Sequence, residues 1–182
     1  MDSLQNNQQP GRTNDRLALY QQQISPAPHT KDSDSDPIKK PTMAARDPIT
    51  CHCLNTLSGT PAANLPVTLT LLSNTPTVLS GISFRAITNA DGRVANWTPV
   101  DTGSSSVPAI LAALPAADSK TNWSVRFDVG PWYEAQGIES FWPEVEVKFT
   151  VKGRGREGQE GWRHYHVPVL LGPWNYSTYR GS

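Results

Sequence analysis

Short runs of alternating residues, each cut off by a turn signal, constrain this chain more than any other feature. In Pro66-Val67-Thr68-Leu69-Thr70-Leu71 the apolar side chains fall at every second position, and Val145, Val147, Phe149 and Val151 repeat the pattern. Residues two apart share one face of a strand, so such runs describe strands with one apolar side. The breaks between them are Ser58-Gly59-Thr60-Pro61, 73–76, Asn89-Ala90-Asp91-Gly92 and the charged, glycine-rich stretch 152–161. Strands are expected over 49–54, 66–72, 82–88, 93–97, 123–129, 144–151, 162–171 and 174–179. Gly130-Pro131 opens a short helix over 132–136, with Gly137 as its stop. The stretch 107–117, rich in alanine and leucine, has room for one or two helical turns. The expected fold is all-β, a two-sheet sandwich of about eight short strands with one short helix.

Composition divides the 182 residues unequally. Positions 1–46 are rich in Gln, Asn, Pro, Ser and Asp, with little apolar surface to offset the entropy of ordering, and read as a flexible low-complexity arm. Positions 47–182 are long enough for one domain, with 99–122 read as an insertion between strands. Lys plus Arg and Asp plus Glu number 16 each, for zero formal charge. There is no basic stripe for nucleic acid and no 18-residue apolar run to span a membrane. No cationic start leads into an apolar secretory signal. The two cysteines, Cys51 and Cys53, stand too close in extended chain for an easy disulfide, which favours a reducing, intracellular compartment, cytoplasmic or peroxisomal. Arg16-Leu17 with Gln23-Ile24 loosely resembles the amino-terminal peroxisomal targeting pattern. No Gly-x-Gly-x-x-Gly loop or Walker A motif occurs, and no cofactor is expected.

Four histidines stand at 29, 52, 164 and 166, the first in the arm. His52 lies between two cysteines, but period two turns Cys51 and Cys53 to one face and His52 to the other. Three adjacent strand residues cannot converge on one ion, so the thiols read as core residues. His164 and His166 share a face around Tyr165. With His52 they suggest zinc as one reading, yet neither a thiolate nor a carboxylate joins them, and no metal is expected. His52 reads either as a lone surface histidine or as part of a site; in a catalytic site, acid–base chemistry is the preferred reading, because a free imidazole titrates near neutrality. Arg93, released by Asn-Ala-Asp-Gly, reads either as a solvated side chain or as an anchor for an anion or carbonyl. Tyr176-Ser177-Thr178-Tyr179-Arg180-Gly181-Ser182 keeps bulky and charged residues to the chain's last positions, where ends are usually frayed. Arg180 has the same two readings as Arg93, and Ser182 reads either as a frayed end or as a polar group held at a site.

These segments together resemble the 5-hydroxyisourate hydrolases, the transthyretin-related enzymes of urate breakdown. Ile49-Thr50-Cys51-His52-Cys53-Leu54-Asn55 with Gly59-Thr60-Pro61-Ala62 is similar to the family's first strand and turn. Thr88-Asn89-Ala90-Asp91-Gly92-Arg93 resembles its arginine turn, and Phe127-Asp128-Val129-Gly130 with Ala135-Gln136-Gly137-Ile138-Glu139-Ser140-Phe141-Trp142-Pro143-Glu144-Val145 its helix and following strand. His164-Tyr165-His166-Val167-Pro168-Val169-Leu170-Leu171 and the Tyr-Arg-Gly-Ser ending are similar to its closing signature. Cys53, Asn55 and Gly172 depart from the common valine, aspartate and serine.

The resemblance implies a transthyretin-like sandwich, homotetrameric, with sites in channels where dimers face each other. It implies His52, Arg93, His166 and Ser182 as the catalytic set. Arg93, Tyr179, Arg180 and Ser182 are the expected contacts to the substrate, 5-hydroxyisourate. His164 is expected to support structure or the channel rim. The alternative is a transthyretin-like protein without enzymatic activity that binds a small hydrophobic ligand.

Overall fold

A computed structural model describes residues 46–73, 81–155 and 157–181. The expected arm, with its Arg16–Ile24 pattern, lies outside the described residues apart from Arg46, and so does Ser182.

Among the described residues, ten strands form two five-stranded sheets. The first contains β1 (Ile49–Asn55), β2 (Thr60–Pro61), β5 (Arg93–Val94), β9 (Tyr165–Leu171) and β10 (Tyr176–Thr178). Its order is β10-β9-β1-β2, and β5 also pairs with β1. The second runs β6 (Thr98–Pro99), β4 (Ser83–Ile87), β3 (Pro66–Ser73), β7 (Lys120–Phe127) and β8 (Val145–Lys152). Among the described residues there are two helices of one to two turns, α1 (Val107–Ala112) and α2 (Val129–Glu134).

The all-β sandwich agrees with the sequence, but its count of elements is higher. The two extra strands are β2 and β6, each two residues long. At that length no alternation is visible, and the partner's hydrogen bonds alone define the strand. The extra helix is α1, capped by Ser106, whose hydroxyl accepts from the Ala109 N–H at 3.4 Å. It lies within the stretch read as an insertion, yet Val107, Ile110 and Leu111 from it and Leu114 beyond it are buried in the core. That stretch therefore contributes to the domain's packing. Helix α2 starts earlier than expected, at Val129, and Tyr133 anchors it. The Tyr133 hydroxyl lies 3.1 Å from both Asn55 Oδ1 and the Leu171 carbonyl, joining the helix to the ends of β1 and β9.

The alternation seen in the sequence fills the space between the sheets. Val67, Leu69 and Leu71 of β3 and Trp123, Val125 and Phe127 of β7 face inward from one sheet, and Cys51, Cys53, Val167, Val169 and Leu171 from the other. Along β8 the end residues Val145 and Val151 are buried, and Val147 and Phe149 between them pack on the core while half-exposed. Period two then sends Thr50 and His52 of β1, and His166 of β9, to the outer face.

The strand pairing that matters most is long-range. β1 and β9 run parallel, with Thr50 opposite His166 and His52 opposite Pro168. β5 runs antiparallel to β1, with His52 opposite Arg93.

Candidate active site

Arg93 reaches this face through a tight turn. The Asn89 side chain accepts from the N–H groups of Asp91 (3.0 Å) and Arg93 (2.9 Å), closing an Asx turn. Gly92 follows with φ of 70°, and a Cβ there would collide with the carbonyl oxygen of Cys53. Only glycine lets the turn lie this close to β1. Arg93 then emerges exposed, directly across from His52.

Three imidazoles stand in a row on the same face. The ring centroids of His52 and His166 are 6.4 Å apart with planes 29° from parallel. Those of His166 and His164 are 6.2 Å apart and 19° from parallel. Trp162 extends the row beyond His164 at 6.5 Å. Thr50 lies beneath, only 6% exposed, with Oγ1 2.8 Å from His166 Nδ1 and 3.0 Å from His164 Nε2. Arg46, Thr50, Arg93, His164 and His166 line a cleft of about 190 Å³.

Burial and positive neighbours both favour uncharged rings. Partial burial, then Arg93, lowers the pKa of His52 below the ordinary 6.5, with Asp91 opposing. His166 is lowered by burial, then by Arg93, His164, His52 and Arg46. His164 is lowered by burial and Arg46, while Glu157 pulls the other way. All three therefore favour neutral imidazole near pH 7, the form that can accept a proton from water. On the inner face of the same strand, burial pushes the Cys53 thiol up to about 12 and that of Cys51 well above its ordinary range. Both are free, buried thiols. Among the described residues, no group of three His, Cys, Asp or Glu side chains is placed to hold a metal ion.

The structure brings His52, Arg93 and His166 together and sets Tyr179 and Arg180 apart. These two line a separate, mostly apolar cavity of about 270 Å³, with Val147, Phe149, Tyr165 and Val167, and among the described residues only His166 borders both spaces. The Arg180 guanidinium lies 5.5 Å from the centre of the Tyr165 ring. The chain end is nevertheless tied to the site, because the Gly181 N–H donates to the His166 carbonyl at 3.0 Å. A Cβ at Gly181 would come within 2.7 Å of His166 Cδ2, so the tail passes tightly against that ring. Sequence reasoning did not single out Thr50 or Arg46, and it gave His164 a supporting part. The signal for Thr50 was available, since it stands two positions before His52 and therefore on the same strand face.

The fold and this outer face define a class, a transthyretin-type sandwich that carries imidazoles and a guanidinium on its β1–β9 sheet. Transthyretin from Sparus aurata superposes with a TM-score of 0.53 over 75% of this chain and 97% of that one, at 24% identity, a likeness of fold. Residues 49–181 match the HIUase/Transthyretin family, and the chain belongs to it. It is 37% identical over 134 residues to a probable 5-hydroxyisourate hydrolase of Schizosaccharomyces pombe, covering 74% of this chain and 90% of the relative. It is 36% identical over 136 residues to the 5-hydroxyisourate hydrolase of Mus musculus, covering 74% and 95%.

Proposed function

We propose that this protein hydrolyses 5-hydroxyisourate, opening the six-membered ring at its N1–C6 amide to give 2-oxo-4-hydroxy-4-carboxy-5-ureidoimidazoline. The observation that carries the reading is the meeting of His52, Arg93 and His166 on one sheet face, in a chain whose relatives of that activity align along most of their length.

Water attacks the C6 carbonyl. His52 and His166 share the proton work, one taking the proton from water and the other returning one to the departing nitrogen. Their lowered pKa values suit the role of base, because a base must be unprotonated before it can act. Arg93 lines the cleft with His166, stands opposite His52 on the sheet, and with its fixed fork of donors stabilises the negative charge that grows on the carbonyl oxygen. Ser182, next after the pinned Gly181, is proposed to orient water or substrate through its hydroxyl.

In one copy this face is open, with His52 half-exposed and Arg93 exposed. Oriented dipoles and charges act more strongly where water is excluded. We therefore propose that the face is enclosed by further copies of the chain in a homotetramer, with the sites at the dimer–dimer interface.

The direct experiment follows the absorbance of freshly made 5-hydroxyisourate with wild type and His52→Ala. Fast decay with wild type and near-spontaneous decay with the variant is expected, and equal decay in both refutes the assignment of His52. The apolar cavity beside the site supports a second reading, a carrier for a small hydrophobic ligand. Tight binding of such a ligand by a wild-type protein that leaves substrate decay unchanged favours the carrier.

A further inference from the structure

We propose that Thr50 is a positioning residue whose single hydroxyl proton couples the protonation of His166 to that of His164. The inference rests on the hydrolase reading and adds to it a path for the proton taken from water.

A hydroxyl has one proton to donate and lone pairs to accept with. Thr50 Oγ1 lies within hydrogen-bond distance of His166 Nδ1 (2.8 Å) and His164 Nε2 (3.0 Å). It donates to one ring, so the other ring must donate to it, and with both rings neutral only two arrangements satisfy both bonds. In the first, His166 Nδ1–H donates to Thr50 and Thr50 donates to His164 Nε2. His166 then carries no proton on Nε2, the nitrogen that Thr50 does not engage, and is set to act as a base. In the second, every bond reverses, and His166 presents Nε2–H as an acid. The tautomer of one ring dictates that of the other. The Thr50 side chain is held for this task, being β-branched, 6% exposed and fixed near the start of the β1–β9 pairing, opposite His166.

The first arrangement also provides a relay. His166 Nε2 takes a proton from the attacking water, and the electron pair of that O–H bond stays on the oxygen as it bonds to the carbonyl carbon. His166 Nδ1 gives its proton to Thr50 Oγ1, and Thr50 passes its own proton to His164 Nε2. His166 and Thr50 end neutral, and His164 ends as imidazolium. The charged surroundings favour that endpoint. His166 faces Arg93, Arg46 and the rings of His52 and His164, which oppose a positive charge on it. His164 faces Arg46 too, but among the described residues it alone of the two has a carboxylate, Glu157, acting in favour of its charged form. The relay moves positive charge away from Arg93 and toward Glu157.

The test uses the full chain as wild type, Thr50→Val and Thr50→Ser. Valine keeps the shape and strand preference of threonine without the hydroxyl, and serine keeps the hydroxyl. Steady-state rates on fresh 5-hydroxyisourate are paired with long-range 15N–1H spectra of the histidine rings, which report which nitrogen bears the proton. Thr50→Val is expected to lower kcat about tenfold, a fraction of what a whole general base supplies. Its KM is expected to stay within about twofold, and Thr50→Ser to remain within about twofold of wild type in both constants. In the spectra, linked His164 and His166 tautomers in wild type become independent mixtures in Thr50→Val. If Thr50→Val matches wild type in rate and spectra, or Thr50→Ser is as impaired as Thr50→Val, the coupling is refuted and the hydrolase reading stands. A wild type that leaves 5-hydroxyisourate decay unchanged refutes the hydrolase reading. The spectra then judge the coupling alone, and unchanged tautomers in Thr50→Val overturn it.

Discussion

The two faces of the first sheet differ by one residue step and by almost every physical property. Inward, Cys51, Cys53, Val167, Val169 and Leu171 are buried, and burial makes the thiols inert by holding them protonated. Outward, Thr50, His52 and His166 form a polar row beside Arg93, and burial combined with positive neighbours holds the imidazoles neutral and available. The same backbone ladder supports both faces. Potentially reactive groups lie on each side of β1, and exposure and charged neighbours decide which of them can do chemistry. Substitutions on the outer face should therefore change turnover with little effect on folding, while those on the inner face do the reverse.

The largest expected effect is on the outer face. His166→Ala is expected to cut kcat by about a hundred- to ten-thousandfold, the usual worth of general acid–base catalysis. Its urea unfolding midpoint should stay close to that of wild type, and a loss of stability matching the loss of activity breaks the contrast. Arg93→Ala comes next, with about a hundred- to thousandfold loss of kcat if its donors act on the developing oxyanion. A rise in KM alone would reassign Arg93 to ground-state binding.

On the inner face, Leu171→Ala removes a fully buried side chain and should cost about 2–5 kcal/mol in denaturant unfolding. Residual folded enzyme should retain wild-type kcat per folded site. A smaller effect is expected for Tyr133→Phe, which loses the hydroxyl bonds to Asn55 and the Leu171 carbonyl but keeps the ring. About 1 kcal/mol is the scale for such a loss, read as a lower thermal midpoint with unchanged KM.

Acidity sharpens the contrast most gently. His52, His164 and His166 have folded-state pKa values below 6.5, so in the folded protein they resist protonation more than in the unfolded chain. As pH falls through about 6.5 the unfolded state takes up more protons, and stability falls with it. Activity should hold to lower pH than an ordinary histidine allows. His52→Gln combined with His166→Gln should flatten the stability change across that window, measured by thermal unfolding at several pH values. A rise in wild-type stability on acidification through that window reverses the sign and excludes these rings as its source.

Much of the scaffold was legible in sequence because alternation is local. Val67, Leu69 and Leu71, or Val145 through Val151, declare a strand and its inner face without reference to any other segment. The same parity assigned Cys51 and Cys53 to the core and His52 to the opposite side. The two-residue strands β2 and β6 were not legible, since nothing that short can display a period. Helix α1 was open to a helical reading, but its burial depends on a core formed by distant strands. The inclusion of Tyr179 and Arg180 among the substrate contacts came from resemblance, and the folded chain places them around the neighbouring apolar cavity.

By itself, the sequence determined which residues alternate, where the turns fall and which residue types are available for acid–base chemistry. These follow from backbone geometry over a few positions. Only the tertiary structure decided that β1 lies parallel to β9 in the register that sets Thr50 beside His166, 116 positions away in the chain. Register between distant strands is chosen by how both inner faces pack into one core, a condition on the whole domain that no short segment carries. The outer-face row of three imidazoles, one hydroxyl and one guanidinium is a consequence of that choice.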